Sequence, residues 1–240
     1  MKLLASLSVL CATAWLSATG VLPCPCELAG EPALAREGHE APGGLYLEVR
    51  NATVWGGACH IGSEAVSQGS MAAAGWAFED GRHAGVPLGG VRVVAVLQGT
   101  ANLQGKQVFR AGSEARIRSA LWVDAPGEAA ATAAVELVRA RLDLGELVEV
   151  HRGPVTVARS ADRFRMSVPG ILTVEGEALP DRSCCTMPES LWYSPLDAGC
   201  EAVVGNPERC RFEGVGDGHH RLSPWAFEGE NSAFIGSIGV

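Results

Sequence analysis

Four short runs of β-prone residues follow one another between positions 147 and 175, and they constrain the fold more than any other feature of the chain. They occupy residues 147–151, 155–158, 163–168 and 171–175. Turn-forming residues separate them, namely Gly153-Pro154, Ser160-Ala161-Asp162 and Pro169-Gly170. Short strands separated by turn signals at this spacing are typical of an antiparallel meander. The pattern therefore favours a fold built on antiparallel strands.

Two further strands are predicted before these runs. Residues 91–97 read Val-Arg-Val-Val-Ala-Val-Leu, which is an almost continuous apolar run. A run of this kind is typical of a strand buried on both faces, so we expect it at the centre of a sheet. Residues 115–123 place Ile117, Ala120 and Trp122 among polar neighbours and predict another strand.

Residues 126–142 predict one substantial helix. Asp124 is the expected N-cap, and Pro126 suits the first helical turn. Arg139 and Arg141 lie where the helix dipole favours positive charge. One face carries apolar residues at helical spacing, and we expect it to pack on the core: Ala134, Val135, Val138 and Leu142. The whole pattern predicts an α+β fold, mostly antiparallel β as a sheet or a sandwich, with one substantial helix near residues 126–142.

The N-terminus predicts export. Lys2 precedes an apolar run at residues 3–16, and the small residues Ala18-Thr19-Gly20 follow it. This is the order of a secretory signal peptide, residues 1–20, cleaved near Gly20, and the run is too short for a stable membrane anchor. The mature protein is therefore expected in the periplasm or outside the cell. Residues 21–42, which contain four prolines, are predicted to be a flexible arm.

The remaining residues, 43–240, are predicted to form a single domain whose C-terminal third is rich in loops and cysteines. The formal net charge is -8, and lysine and arginine do not cluster. Nucleic acid is therefore not an expected partner, because binding phosphates requires clustered positive charge. Scarce lysine and abundant alanine and glycine indicate a bacterial coding bias. No motif identifies a protein partner.

Export changes the interpretation of the cysteines. Of the eight in the chain, Cys11 would leave with the signal peptide, so seven remain. An oxidising compartment favours disulfides, and an odd number leaves at least one thiol unpaired or bound to something else. Cys200 and Cys210 flank the turn-like Gly205-Asn206-Pro207, which predicts a local disulfide that staples a hairpin. Cys24-Pro25-Cys26 can bind a soft metal as a Cys-x-Cys pair, but we favour the alternative that one or both of these cysteines pair with another cysteine of the fold.

Residues 45–64 contain the first group of candidate functional residues. Leu45, Leu47 and Val49 alternate with polar side chains, which predicts a half-buried strand. A second β-prone run, residues 52–55, leads into Gly56-Gly57, where the backbone can turn tightly. A thiol, an imidazole and a carboxylate follow on the same loop: Cys59, His60 and Glu64.

The second group is Cys184-Cys185-x-Met187. Adjacent cysteines seldom bond each other, because the small ring is strained, so each usually has another partner. Thiolate and thioether sulfurs are soft donors that suit Cu(I). With Cys59 and His60 they would form a compact site for copper, or alternatively zinc. We expect the two loops to meet at one end of the sheet.

Two alternatives remain open at this point. Cys59 can form a disulfide with Cys184 or Cys185, which would make the chain a structural or interaction module held by its cysteines. Cys59 beside His60 also suits a thiol enzyme, although a nucleophile and its base normally come from different parts of a fold. No common hydrolase, metalloprotease, phosphate-loop or dinucleotide motif is present in the sequence, which favours a protein without catalysis.

Three segments resemble one known family. The first contains Gly57, Cys59, His60 and Glu64. The second contains Trp76, Phe78, Gly81, Gly85-Val86, Leu88 and Gly90-Val91, followed by the run 93–96. The third contains Cys184-Cys185-x-Met187-Pro188 and Trp192-Tyr193, and later Gly229-Glu230-Asn231-Ser232-Ala233-Phe234. Together they resemble the bacterial family called domain of unknown function 1326.

The resemblance implies a site but no established activity. It points to the same cysteine loops and adds Asn231. Asn231 and Glu64 are expected to contact the ligand residues without binding the metal ion themselves. Many relatives have a Cys-x-Cys arrangement just before the first loop. Here the corresponding residues are Arg50-Asn51-Ala52-Thr53, so the resemblance does not imply a richer cysteine site in this chain.

Overall fold

The structure, a computed structural model, describes residues 41–56, 69–104, 106–107, 110–111, 115–179, 190–191, 193–228 and 232–238. The first half contains β1 (Gly44–Arg50), β2 (Trp55–Gly56), β3 (Met71–Phe78), β4 (Arg82–His83), β5 (Val86–Pro87), β6 (Arg92–Gly99), β7 (Lys106–Gln107), β8 (Arg110–Ala111), β9 (Ile117–Asp124) and α1 (Glu128–Arg141). The second half contains β10 (Glu146–Arg152), β11 (Thr156–Ser160), β12 (Arg163–Val168), β13 (Leu172–Ala178), β14 (Ser190–Leu191), β15 (Cys200–Phe212), β16 (Trp225–Phe227) and β17 (Ala233–Ile238). A 3₁₀ turn spans Gly218–His220.

One eleven-stranded sheet dominates the fold, in the order β10-β9-β6-β3-β1-β17-β15-β13-β12-β11, with β16 paired to β15. Its neighbouring strands are antiparallel except for β9 and β10, which run parallel. Three two-stranded ladders accompany it: β2 with β14, β4 with β5, and β7 with β8. The predicted class is confirmed at this level, since the described chain is mostly antiparallel β with one α-helix.

The sheet curls so that its β11–β13 end lies over its β1, β3 and β6 strands. Between them lies an apolar core to which both parts contribute, including Leu47, Val94, Val157, Phe164 and Met166. At Gly75 on β3 the approach is so close that an added Cβ would lie 2.6 Å from Met166 Sδ. Glycine is required there by contact across the core rather than by backbone conformation.

Helix α1 covers the opposite face of the β1–β3–β6–β9 part of the sheet. Its buried face, including Ala134, Leu137 and Val138, packs on a second core with residues such as Trp76 and Leu121. The helix confirms the prediction for residues 126–142, and Arg139 and Arg141 lie in its last turn. Within the described ranges, no helix is long and apolar enough to cross a membrane.

Several strand predictions are confirmed. The runs predicted at 91–97 and 115–123 form β6 and β9, two neighbours within the main sheet. The runs at 155–158, 163–168 and 171–175 form β11, β12 and β13, which pair in sequence as an antiparallel meander. The long apolar run of β6 is buried on both faces, as its composition predicted.

Two predictions around the helix are wrong. The run at 147–151 forms β10, but it pairs in parallel with β9 at the far edge of the sheet instead of joining the meander. The reason is the crossover through α1, which returns the chain in its original direction. The helix N-cap is Gly127, with no side-chain hydrogen bond. The Asp124 carboxylate accepts a hydrogen bond from the Val155 N–H at 3.4 Å instead.

The predicted hairpin between Cys200 and Cys210 is also wrong. Gly205-Asn206-Pro207 lies within the single strand β15, which pairs with β17 through its first half and with β13 through its second. A register shift opposite Glu175 and Gly176 accommodates this stretch without a reversal of the chain. The two cysteines therefore lie ten residues apart on one strand, roughly 33 Å at the usual strand rise.

Candidate functional site

The predicted metal ligands lie outside the described residues. This applies to Cys59, His60, Cys184, Cys185 and Met187, and also to the supporting residues Glu64 and Asn231. The structure does describe the residues that flank the three segments 57–68, 180–189 and 229–231. The geometry of these flanking residues is what bears on the site.

The first two segments join the fold at one place. Gly56, the last described residue before 57–68, pairs with Ser190, the first described residue after 180–189. In the same ladder Trp55 pairs with Leu191. The Tyr193 N–H then donates a hydrogen bond to the Val54 carbonyl at 3.4 Å. Residues that are about 135 positions apart in sequence are thus neighbours in the β2–β14 ladder.

A small apolar cluster lies beside this ladder, and we call it the stem cluster. Its buried members are Ala52, Val54, Tyr193, Val204 and Phe234, with Leu179 and Ala202 packed against them. Leu179 directly precedes segment 180–189, and Phe234 closely follows 229–231. Segments 57–68, 180–189 and 229–231 are therefore each flanked by residues of one cluster.

A buried polar network lies under the stem cluster on β1. Tyr46, Glu48 and Arg50 all point to the same face and are at most 1% exposed. The Tyr46 hydroxyl and the Arg50 Nε both donate hydrogen bonds to the Glu48 carboxylate. Glu48 also accepts a hydrogen bond from the Leu196 N–H at 2.7 Å. The ion pair is complete and well hydrogen-bonded, which is what a pair of buried charges requires.

The prediction that β1 is half buried is therefore wrong. The apolar residues Leu47 and Val49 face the core between the two parts of the sheet, as the alternation indicated. The opposite face is not exposed to solvent, because residues 193–199 cross over it. We call this segment the strap. Polar alternation predicted the two faces of the strand but not that the second face is covered.

The strap is held at its far end by Asp197, which is 1% exposed. Its Oδ2 accepts hydrogen bonds from Trp76 Nε1 at 2.9 Å and from Arg141 Nε at 2.7 Å. Its Oδ1 accepts one from the Gly199 N–H at 3.0 Å. Strand β3, the last turn of α1 and the strap thus meet at one carboxylate. Trp76 belongs to the second family-like segment and contacts the strap through this hydrogen bond.

Cys200 and Cys210 are both free thiols, so the predicted disulfide between them is wrong. A disulfide needs Cα atoms about 4.4–6.8 Å apart, and one extended strand keeps these two much farther from each other. Burial, followed by the neighbouring Asp197 carboxylate, raises the pKa of Cys200. Burial alone raises the pKa of Cys210. Both thiols are held protonated at neutral pH, which does not suit a thiolate nucleophile.

The described part of the chain contains no group of three or more His, Cys, Asp and Glu side chains arranged to hold a metal ion. His220 lies in the 3₁₀ turn, where its Nδ1 is 2.9 Å from Glu146 Oε1. The Glu48–Arg50 pair and the Asp197–Arg141 pair each join one carboxylate to one guanidinium group, so their charges balance.

Several residues of these polar contacts were not identified from the sequence. Arg50, Arg141 and Asp197 were not predicted to act together, and Gln104 carried no signal at all. The signal that existed was the polar side of β1, Tyr46-x-Glu48-x-Arg50, in which an acid and a base stand two residues apart on one strand face.

No protein-family model matches the chain, and no curated protein matches it. The likeness to the family called domain of unknown function 1326 therefore stays a prediction from the residues that carry it.

Proposed function

We propose that this chain is an exported bacterial protein of the family called domain of unknown function 1326, and that it binds a soft metal ion. The ligands would be Cys59, His60, Cys184, Cys185 and Met187, with Glu64 and Asn231 supporting them. Copper is the preferred ion and zinc the alternative. The role is metal handling, such as storage, delivery or sensing, rather than catalysis.

The observation that carries this proposal is the pairing of Gly56 with Ser190. Cys59 and His60 lie three and four residues beyond Gly56, while Met187 and Cys185 lie three and five residues before Ser190. Because Gly56 and Ser190 are antiparallel partners, the short stretch after Gly56 and the short stretch before Ser190 are attached to the fold side by side. Donor atoms from both stretches can therefore reach one ion. Sulfur and imidazole donors together favour Cu(I) and Zn²⁺ over hard cations.

The same pairing also suits a disulfide from Cys59 to Cys184 or Cys185, which would make the chain a cysteine-stabilised structural or interaction module. The two functions differ in whether the protein binds a metal ion. A metal protein holds its ion through thiolates, and a structural module holds none because its thiols are bonded to each other.

The test is an anaerobic Cu(I) competition titration of the mature protein against a chromophoric chelator. We expect tight binding by the wild type and loss of that binding in C59S/C185S, because two thiolate ligands are removed. The matched control is C200A/C210A, which also removes two thiols but leaves the proposed ligands in place. Equal binding by C59S/C185S and the wild type would contradict the proposal.

A further inference from the structure

We propose that the outer edge of β11 binds an extended segment of another protein, which adds to the main sheet as a further strand. The segment has apolar side chains at alternate positions and one acidic side chain that faces Arg159. This surface is separate from the stem cluster. It borders the Gly44–Leu45 end of β1, whereas the first members of the stem cluster, Ala52 and Val54, follow the other end of that strand.

β11 is the last strand of the main sheet and pairs on one side only. Its five residues, Thr156–Ser160, form a regular antiparallel ladder with β12. In such a ladder every second residue directs its N–H and C=O away from the partner strand. Among the described residues, no backbone hydrogen bond from another element reaches these outward-facing groups of β11. An edge of this kind is what an added strand requires for its main-chain hydrogen bonds.

The strand at the other edge of the sheet, β10, is protected in ways that β11 is not. Its register with β9 shifts between Leu147 and Glu149. Three of its seven residues are charged: Glu146, Glu149 and Arg152. Bulges and charges are common means by which an edge strand is kept from pairing with another chain. β11 has no register shift and a single charged residue, Arg159, so its edge is open to a partner.

An open cleft runs along the edge of β11, and we call it the β11 cleft. It consists of two adjoining pockets of about 600 Å³ and about 710 Å³, which share Leu45, Glu79 and Arg159. Besides β11, the ends of five strands contribute to its lining, namely β1, β3, β6, β15 and β17. Val203 lines it and is 39% exposed, although it is a large hydrophobic residue. Apolar side chains of an added strand would cover this surface.

The side chain of Arg159 lies on the inner face of β11. Side chains two residues apart on a strand share a face, and Val157 belongs to the core between the two parts of the sheet. Phe164, which lies opposite Arg159 on β12, belongs to the same core and is 4% exposed. Arg159 is itself exposed, because at its position the core opens into the β11 cleft.

Two arginines of the β11 cleft have no ion-pair partner among the described residues. Arg159 Nε donates to the Ala161 carbonyl at 3.0 Å, and Arg92 Nη1 donates to the Gly90 carbonyl at 3.4 Å. The arginines of β12 and β15 differ from them, because each pairs with a glutamate: Arg163, Arg165, Arg209 and Arg211. A carboxylate on the added strand would give Arg159 the pair that it lacks, with the planar geometry that a guanidinium group favours.

The same charges favour another protein over a second copy of this chain. The carboxylates of the cleft, Glu79 and Glu201, form no ion pair with Arg159 within the described part of the chain. If two β11 edges paired with each other, two copies of Arg159 would lie on one short ladder, and neither β11 carries a carboxylate to balance them. Like charges on neighbouring strands are destabilising, whereas an acidic residue opposite Arg159 is stabilising.

The experiment selects binders for the mature protein from a displayed library of random eight-residue peptides. The wild type is compared with R159E and with the control R165E. Arg165 is also an exposed arginine of the β11–β12 hairpin, but it lies opposite Ala158 on the outer face, where it pairs with Glu175. We expect peptides with alternating apolar residues. An acidic residue should be enriched about fivefold at one position on the wild type and R165E, and a basic residue at that position on R159E.

The peptide most enriched on the wild type is then synthesised, and amide hydrogen exchange of the protein is measured with and without it. Exchange should slow within residues 156–160 and stay unchanged in β10. Urea unfolding checks that R159E is folded, and R159Q replaces it if it is not. With R159Q the acidic preference should disappear.

Four results would overturn the proposal. They are a library without enriched peptides on the wild type, an acidic preference that persists on R159E or R159Q, an equal change on R165E, and protection that falls outside β11. A wild-type dimer in which the β11 amides are already protected would identify a second copy as the occupant, and would overturn the proposal as well.

Discussion

Individual residues determine how the polar side of β1 can be buried. Glu48 is stable there because a phenol, a guanidinium and a backbone N–H all donate to it, from Tyr46, Arg50 and Leu196. Burial, followed by the neighbouring Glu48 carboxylate, raises the pKa of Tyr46 well above its usual range, so the phenol keeps the proton that it donates. Removing one member would leave a buried charge without its partner, which is typically more costly than the pair is stabilising.

The thiol of Cys210 leads to a prediction about how the stability of the protein depends on pH. It is 2% exposed, and burial raises its pKa, so the folded state keeps its proton at a pH where the unfolded chain loses it. Because the folded state then binds more protons than the unfolded state, stability must fall as pH rises above about 8.5. Below that pH both states are protonated and Cys210 contributes no pH dependence.

The measurement is urea unfolding of the wild type and C210A under anaerobic conditions at pH 7 and pH 9.5. We expect the stability advantage of the wild type over C210A to shrink by about 1.4 kcal/mol between these two pH values, since one unit of pH corresponds to that amount for one proton. An advantage that stays constant would show that the Cys210 thiol is not held protonated by burial.

At the scale of elements, sequence pattern predicted most of the sheet but not its long-range connections. Local periodicity was sufficient for β6, β9, α1 and the β11–β13 meander, because each is specified by its own composition. It failed for the 147–151 run, where strand direction depends on the preceding helix, and for β15, where tertiary pairing overrides a turn signal. The cysteine segments were identified as candidates from chemistry alone. The buried polar network on β1 depends on contacts between residues as far apart as Arg50 and Ser194, which no local pattern encodes.

The contact between β3 and β12 gives a prediction for these elements. A Cβ at position 75 would lie 2.6 Å from Met166 Sδ and 3.0 Å from Val157 Cγ2, so G75A should cost about 1–3 kcal/mol through overpacking. M166A should cost about 2–5 kcal/mol, because it leaves a cavity in the core. The double variant G75A/M166A should cost less than the sum by about 0.5–3 kcal/mol, since the smaller side chain makes room for the new methyl group.

The unfolding free energies of the two single variants and the double variant can be obtained from urea titrations. The control is G75A with L137A, because Leu137 lies in the other core, under α1, and its effect should be additive. Additive costs for G75A and M166A would contradict the close packing of β12 on β3.

Across the described part of the molecule, the two faces of the curled sheet are packed differently. The side between its two halves is apolar and holds the fold together, whereas α1 and the strap cover the other side. The strap begins beside the stem cluster, whose residues flank the segments 57–68, 180–189 and 229–231.

The metal content of the mature protein tests this account most directly. It should be purified without chelator from the periplasm of cells supplied with copper and zinc, and measured by elemental analysis. We expect about one equivalent of copper or zinc per chain, and none in C59S/C185S prepared in the same way. Wild-type protein that contains no metal, with Cys59 bonded to Cys184 or Cys185, would contradict the account and would identify the cysteine segments as structural.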